Sequence, residues 1–105
     1  MDFDGFDWDK GNRDKCQQHC VPIQEIERMF DRPVVILPDK DNPSGEQRHR
    51  AIGTTPEHRG IFVVFTLRDR HGSTLLRPIS ARYMHKLEVE NYEKTYPYIS
   101  DRQAS

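Results

Sequence analysis

The sequence predicts an α+β fold with two N-terminal helices, an antiparallel sheet of about four strands and a C-terminal helix. Two observations predict it: apolar residues recur at helical spacing near the N-terminus, and turn residues then separate a series of β-branched and aromatic segments. The length of 105 residues suits one domain. We place that domain at residues 1–96 and expect a disordered tail at residues 97–105.

The first helix is predicted over residues 10–19, because Asp9 is a favoured N-cap residue. Before it, Phe6 and Trp8 alternate with aspartates, which indicates a brief strand or a packed turn after a short leader at residues 1–5. This helix has few apolar residues, so we expect it to lie on the surface and to pack on one side.

The second helix is predicted to begin near Pro22, since the missing N–H of proline is tolerated in a first helical turn. Its apolar positions recur at spacings of three and four, as in an amphipathic helix. These positions are Ile23, Ile26, Met29 and Phe30. Pro33 ends the helix, because the residue before a proline avoids helical angles.

Four strands are predicted after the second helix from their β-branched and aromatic content. They are placed at residues 34–37, 47–53, 60–68 and 73–80. Turn residues fill 38–45, and the string R-D-R-H-G at residues 68–72 is predicted as a hairpin turn. A closing helix is predicted over residues 81–95, with inner positions at Tyr83 or Met84, at Leu87, and at Tyr92 or Tyr96.

Both cysteines lie in a C-x-x-H-C motif at residues 16–20, which admits several interpretations. A structural zinc site ordinarily has four Cys or His ligands, and the sequence offers no second cluster of comparable quality. The C-x-x-C redox motif does not occur, and a disulfide within one helix would be strained. We favour a buried, apolar Cys16 and place Cys20 at the left-handed position that often ends a helix. We therefore expect no metal or other cofactor.

Basic residues are concentrated in the second half of the chain. Residues 48–86 carry eight Lys or Arg residues against only Glu57 and Asp69. Because arginine presents a planar fork that matches phosphate, this block favours a surface for a polyanion or an acidic partner. A solvated charged surface is an equal alternative on charge alone.

Two features of the sequence bear on its location. No run approaches the ~18 apolar residues that a membrane helix needs. The acidic N-terminus lacks the apolar stretch of a signal peptide. Together they predict a cytoplasmic protein without membrane contact.

Three segments of the sequence together carry a family resemblance. They are the string F-D-W-D-K-G-N-R-D-K-C-Q-Q-H-C-V at residues 6–21, the pattern E-x-R at residues 46–48 and the string R-P-I-S-A-R at residues 77–82. In this order they resemble the opening and two later segments of the BrnT toxins, the ribonuclease half of BrnT–BrnA type II toxin–antitoxin pairs. Two residues depart from the pattern, since Cys20 replaces a Gly and Gln18 replaces a frequent Lys.

The resemblance implies a RelE-like compact fold, RNA as the substrate and a BrnA-like ribbon-helix-helix antitoxin as the partner. It implies that DNA is bound only through the toxin–antitoxin complex. The function expected from it is an endoribonuclease toxin that cleaves mRNA by metal-independent attack of the 2′-OH and inhibits translation. One alternative is a non-catalytic basic module that binds nucleic acid or an acidic partner. A small metal protein built on the C-x-x-H-C motif is another.

RNA cleavage without a metal requires a base for the 2′-OH, cations for the phosphorane and an acid for the leaving 5′-oxygen. For catalysis we assign six residues that can supply these groups: His19, Glu46, Arg68, Arg77, Ser80 and Arg82. We assign a further five to RNA binding: Lys10, Lys15, Arg48, Thr66 and Tyr83. Alternatively, Glu46 and Arg48 belong to a salt-bridge network, and Arg77 and Arg82 anchor the closing helix.

Overall fold

A five-stranded mixed sheet forms the centre of the protein in the computed structural model, which describes residues 2–39 and 46–99. Its strands are β1 (Gly5–Phe6), β2 (Val35–Pro38), β3 (His49–Thr54), β4 (Gly60–Arg70) and β5 (Ser73–Tyr83). The helices are α1 (Lys10–Gln17), α2 (Ile23–Met29) and α3 (Lys86–Thr95), followed by a 3₁₀ turn at Pro97–Ile99. The order across the sheet is β1-β5-β4-β3-β2, and the predicted α+β class is confirmed.

The sheet has one strand more than the predicted antiparallel arrangement. β1 pairs in parallel with β5, whereas the remaining neighbours pair antiparallel. The residues just before β1 belong to the fold rather than to a leader, because Phe3 packs against the core and the Asp4 N–H donates to the Thr74 carbonyl oxygen at 2.7 Å. Asp4 and Thr74 are 70 residues apart, so the sequence gives no local signal for this contact.

Helix α1 begins where it is predicted, at the Asp9 cap. The Asp9 carboxylate accepts the Asn12 N–H at 3.0 Å, and the Asn12 side chain accepts the Asp9 N–H at 2.7 Å, which completes a capping box. The helix ends at Gln17, earlier than predicted, and Cys20 then adopts a φ of 63°. This conformation confirms that Cys20 occupies the left-handed position after the helix.

Helix α2 uses Pro22 as its N-cap, one position before the first helical residue. Ile26 and Met29 of its predicted apolar stripe are buried, and Phe30 packs against the same core. The stripe thus joins α2 to the face of the sheet that α1 also covers.

β4 and β5 form a long hairpin whose turn is His71 and Gly72. Their φ values of 53° and 82° are both positive, as in a type I′ turn. β5 continues to Tyr83, so the prediction that the closing helix begins at residue 81 is wrong. Pairing between β4 and β5 extends to Ile61 and Tyr83, and this ladder overrides the local helical spacing.

The later start of α3 changes which of its residues face the core. Leu87, predicted as an inner position, is 67% exposed, whereas Val89 is buried. Tyr92 and Tyr96 pack against the same cluster as Val89. α3 approaches the sheet closely at Gly60, where an added Cβ would clash with the Val89 side chain.

The folded part of the chain extends through Ile99. This residue is buried, and its carbonyl oxygen accepts a hydrogen bond from the Thr54 hydroxyl at 2.8 Å. The predicted disordered tail is therefore wrong for Pro97–Ile99. Residues 40–45 of the predicted turn and residues 100–105 of the predicted tail lie outside the described residues.

Each face of the sheet has its own apolar cluster. One cluster joins α1 and α2 to the sheet face that they cover, and it consists of Cys16, Val21, Ile26, Met29, Ala51, Ile61, Val63, Phe65, Leu76 and Ala81. Under α3 and the 3₁₀ turn lie Val35, Ile52, Met84, Val89 and Ile99. Phe62 packs against this second cluster, while Thr66 and Arg68, farther along β4 on the same face, lie outside it. One end of that face is therefore polar.

Candidate functional site

A cationic groove lies where β4 and β5 continue past their neighbour β3. The β3–β4 ladder stops at the pair His49–Phe65, whereas β4 runs on to Arg70. Thr66 lies opposite Arg77 in the β4–β5 ladder, so both side chains share a face of the sheet. The groove has a volume of about 280 Å³ and is lined by Gly11, Asn12, Lys15, Glu46, Arg48, Arg68, Arg77 and Ile79.

The lining of the groove carries four cationic side chains and one carboxylate. The whole chain has a net charge of −1, so this is a local concentration of positive charge. The groove brings together five residues that the sequence analysis selected: Lys15, Glu46, Arg48, Arg68 and Arg77.

Asn12 fixes the N-terminal half of α1 against the groove. Its side-chain amide donates to the Pro78 carbonyl oxygen at 2.8 Å and to the Asp7 carbonyl oxygen at 2.9 Å. The contact with Pro78 lies beside a bulge in β5, where Ile79 is inserted relative to β4. These bonds hold α1 beside β5 and place Lys15 at the wall of the groove.

Glu46 and Arg68 form an ion pair in the groove, with 3.0 Å between Oε1 and Nη2. Their side chains are 35% and 41% exposed, so solvent screens the pair and a ligand can compete for either partner. The Thr66 hydroxyl donates to the Gln47 carbonyl oxygen at 2.9 Å, which holds the Glu46 segment beside β4.

Arg48 differs from the other groove arginines because it has no ion pair within the described ranges. Its side chain is half-buried, and its Nε is buried without a hydrogen-bond acceptor among the described residues. Such a group is unfavourable unless it acquires an acceptor. Arg48 is therefore the groove cation best prepared to receive an anionic ligand.

Arg77 is held by two aspartates that precede α1. Its Nη2 donates to Asp9 Oδ2 at 2.7 Å, and its Nη1 lies 3.6 Å from Asp7 Oδ2. Asp7 Oδ2 also lies 3.2 Å from Nη2 of Arg70. Hydrogen bonds from the Asn12 N–H and then from Arg77 lower the pKa of Asp9, which favours its anionic form.

Arg82 lies on the same face of β5 as Arg77 but contacts α3 instead of lining the groove. Its two terminal nitrogens donate to the Glu88 carboxylate at 3.1 and 3.0 Å. Its guanidinium lies 4.8 Å from the centre of the Phe62 ring. The Arg82 hydrogen bonds, with help from a backbone N–H, lower the pKa of Glu88 to about 2.

Tyr83 lies on the opposite face, against α2. Its hydroxyl donates to the Glu25 carboxylate, and the Arg59 guanidinium lies 3.4 Å from the centre of its ring. Burial and the hydrogen bond to Glu25 raise the pKa of Tyr83 to about 12. A base that stacks on Tyr83 has to displace Arg59 from the ring.

Four other predicted site residues lie outside the groove lining: Lys10, His19, Thr66 and Ser80. Lys10 is exposed at the first position of α1, and His19 is exposed in the turn after it. Ser80 is half-buried and lies opposite Val64 in the β4–β5 ladder. The roles assigned to all eleven predicted site residues stay predictions.

The C-x-x-H-C motif places its two thiols in different environments. Cys16 is buried in the core, and burial raises the pKa of its thiol to about 11. Cys20 is exposed, and both thiols are free. Within residues 2–39 and 46–99, no group of three or more His, Cys, Asp or Glu side chains is arranged to hold a metal ion.

Sequence reasoning missed two residues that build the groove, Asp7 and Asn12, and identified Asp9 only as a cap. The D-x-x-N spacing of a capping box is a local signal from which Asn12 could have been found. The bond between Asp9 and Arg77 joins positions 68 residues apart, so no local pattern predicts it.

A second cleft of about 280 Å³ lies between α3 and the loop before β4. Its charged lining residues include Arg59 and Lys86 but also Glu90 and Glu93. These opposite charges balance, so the groove beside α1 is the better candidate for binding an anion.

The fold and the groove define an α+β protein whose clustered arginines suit a ligand that carries phosphates. A family model for the ribonuclease toxin, BrnT, of type II toxin–antitoxin systems matches residues 8–88 of the chain. The chain therefore belongs to the BrnT family of ribonuclease toxins. Membership implies RNA as the substrate and an antitoxin as the partner. A comparison with curated proteins gives no match. In the part of the chain that the structure describes, no helix is long and apolar enough to cross a membrane.

Proposed function

We propose that the protein is a metal-independent endoribonuclease that cleaves mRNA in the groove beside α1 and thereby inhibits translation. The observation that supports this most directly is the half-buried Arg48, whose buried Nε has no acceptor among the described residues, next to three other cations and a carboxylate. A scissile phosphate supplies the acceptors that such a cluster needs, and its negative charge grows in the transition state.

In this mechanism Glu46 accepts the proton of the attacking 2′-OH. The 2′-oxygen forms a new bond to phosphorus while the bond to the 5′-oxygen breaks, which leaves a 2′,3′-cyclic phosphate and a 5′-OH end. Arg48, Arg68 and Arg77 stabilise the phosphorane by hydrogen bonds and charge. Arg68 exchanges its contact with Glu46 Oε1 for the phosphate when that carboxylate acts as the base.

Lys15 donates the proton to the leaving 5′-oxygen. Arginine keeps its proton in proteins, so among the lining side chains Lys15 is the cation that can act as an acid. His19 is also among the six residues predicted from the sequence to act in catalysis, and with Glu46 it is a candidate for the acid or the base. His19 lies in the turn after α1, outside the groove lining, so a His19→Gln variant tests that role directly.

The shape of the surface supports a polymer as the substrate. A neighbouring hollow of about 310 Å³ shares Glu46 and Arg68 with the groove and is also lined by Gln47 and His49. A single-stranded RNA can therefore place its scissile phosphate over the arginines while the adjoining nucleotide occupies the hollow. Single strands expose the base edges and backbone that such an open surface can contact.

The partners follow from the same proposal. We take the antitoxin to be a BrnA-like ribbon-helix-helix protein through which the complex binds DNA, and we place the pair in the cytoplasm. Family membership supports the existence of an antitoxin, and the cationic groove offers a surface that an acidic segment of such a partner can neutralise.

The test is incubation of the purified protein, freed of antitoxin, with total RNA in the presence of EDTA. We expect cleavage with 2′,3′-cyclic phosphate ends, and its loss in Glu46→Gln. Arg28→Ala, a change at an exposed arginine of α2, is the control and should cleave like the wild type. Ends that carry a 3′-hydroxyl, or cleavage that EDTA abolishes, would contradict the mechanism. RNA binding without cleavage would favour the non-catalytic binding module instead.

A further inference from the structure

The two arginines on either side of the groove differ in how firmly their carboxylate partners are fixed. Glu46, the partner of Arg68, lies in a segment outside the helices and strands, and that pair is partly exposed. Asp9, the partner of Arg77, is the N-cap of α1; the Arg77 side chain is 18% exposed and the Asp9 side chain is 54% exposed. The bond between Asp9 and Arg77 is also the shorter, at 2.7 Å.

Asp9 has a fixed orientation because its two carboxylate oxygens accept hydrogen bonds from different partners. Oδ1 accepts the Asn12 N–H at 3.0 Å and so caps α1, while Oδ2 accepts from Arg77. Asn12 is itself bonded to the Pro78 carbonyl oxygen at 2.8 Å, which ties the cap to β5 next to Arg77. The carboxylate is therefore held on both sides before any ligand binds.

We propose that Asp9 is a positioning residue that holds the Arg77 guanidinium in the orientation that the scissile phosphate requires. This inference rests on the proposed function of the groove. Asp9 does not line the groove, so it acts through Arg77 and does not touch the phosphate. The N-cap of α1 thus has a second role, in which helix formation and the placement of a catalytic arginine depend on one side chain.

An anion beside a phosphate-binding arginine also has an opposing effect, since it repels the substrate. Asp9 is 54% exposed, so water and salt screen its repulsion of a phosphate beyond Arg77. The direct hydrogen bond to Arg77 keeps its geometry under this screening, because the donor and acceptor are in contact and Asp9 Oδ1 is also held by the Asn12 N–H. Orientation should therefore outweigh repulsion in the chemical step.

The test uses Asp9→Asn, because asparagine caps a helix as well as aspartate does and keeps the same shape. A misplaced catalytic group commonly slows reaction by one to two orders of magnitude. We expect kcat for a short RNA to fall roughly ten-fold, with KM close to that of the wild type and an unchanged melting temperature. Asp9→Ser, a second variant that retains a capping side chain, should behave in the same way.

Two further variants isolate the effect from general charge and from folding. Asp14→Asn removes an exposed carboxylate of α1 and should leave kcat and KM as they are in the wild type. In the Arg77→Ala background, Asp9→Asn should produce no additional loss, because the residue through which Asp9 acts is gone.

Each outcome either supports or contradicts the positioning role of Asp9. A normal kcat in Asp9→Asn, an equal loss with and without Arg77, or a change in KM alone overturns the positioning role while the ribonuclease proposal stands. A wild-type protein that leaves RNA intact overturns both. A loss of kcat that disappears in the Arg77→Ala background supports the assignment.

Discussion

Arg77 and Arg82 lie on one face of the same strand, yet their surroundings give them different tasks. They are five positions apart on β5, and because Ile79 is inserted this equals four steps of the ladder with β4, roughly 13 Å along a strand. Arg77 lines an open groove that also holds Arg48 and Arg68. Arg82 lies under α3, where Glu88 and the Phe62 ring occupy its guanidinium. The difference lies in what covers the strand at each end.

Arginine thus serves for ligand binding at one end of this sheet face and for packing at the other. At the covered end, the charge of Arg82 is matched within the hairpin and the helix that follows it. At the open end, Arg48 has no ion pair among the described residues, and Arg68 contacts Glu46 through one terminal nitrogen, whereas Arg82 donates two hydrogen bonds to Glu88. An arginine with one such contact, or with none, loses less when it binds a phosphate than an arginine held by two.

The largest effect is expected from Arg48→Ala compared with Arg82→Ala. Removing one hydrogen-bond donor to a charge that develops in the transition state commonly slows an enzyme about 100-fold, and we expect that loss of RNA cleavage for Arg48→Ala. Its melting temperature should not fall, because the change removes a buried N–H that lacks an acceptor. Arg82→Ala should instead reduce stability by about 1 kcal/mol or less, with cleavage close to wild type.

The measurement is the initial rate of cleavage of a short RNA at equal concentrations of folded protein, together with thermal unfolding. The catalytic role that the sequence predicts for Arg82 is tested by the same pair. If Arg82→Ala abolishes cleavage in folded protein while Arg48→Ala does not, the division between the two ends of the sheet is wrong.

The parts of the fold that depend on residues close together in the sequence could be predicted from it. The Asp9 cap, the stripe of α2 and the left-handed position of Cys20 each depend on a few neighbouring residues, and the structure confirms them. The start of the closing helix was not predictable in this way. Residues 81–83 have helical spacing, but pairing with β4 decides their conformation, and that pairing is a tertiary effect.

The residue types of the site could be predicted from the sequence, but their arrangement in space could not. The concentration of arginine and the string R-P-I-S-A-R indicated the residue types, and five selected residues do line one groove. The division between Arg77 and Arg82 depends on which end of the face α3 covers, and no short motif encodes that. The same is true of Asp9 and Arg77, which meet only because β1 and α1 pack beside β5.

The second-largest effect is expected from a change at Gly60, where β4 and α3 are in close contact. Gly60→Ala should reduce the free energy of unfolding by about 1–3 kcal/mol, because the added methyl group overlaps the Val89 side chain. Urea denaturation measures this as a lower midpoint. Cleavage per folded molecule should remain near the wild type, since the groove lies at the other end of the face.

The control is the double variant Gly60→Ala with Val89→Ala, which makes room for the new methyl group. It should recover part of the lost stability relative to the sum of the two single changes. Strictly additive losses would show that the close approach of α3 at Gly60 does not explain the effect.

The smallest expected effect is the loss, at acid pH, of the stability that the Arg82–Glu88 ion pair contributes to the fold. The folded pKa of Glu88 is about 2, below its ordinary value of 4.5, so the pair stabilises the fold fully above pH 4.5 and loses that contribution as the pH falls toward 2. Because both side chains are partly exposed, we expect about 1 kcal/mol or less. The measurement is the stability difference between wild type and Glu88→Gln, by urea denaturation at a series of pH values.

This difference should shrink as the pH falls from 4.5 toward 2, because the wild-type carboxylate becomes protonated and then resembles glutamine. Glu90→Gln, at an exposed carboxylate of the same helix, is the matched control for the removal of a charge from α3. A flat profile for Glu88→Gln would mean that Arg82 is not bound by α3 in solution. Arg82 would then be available to RNA, as the sequence analysis predicted, and the functional face would extend along the whole of β5.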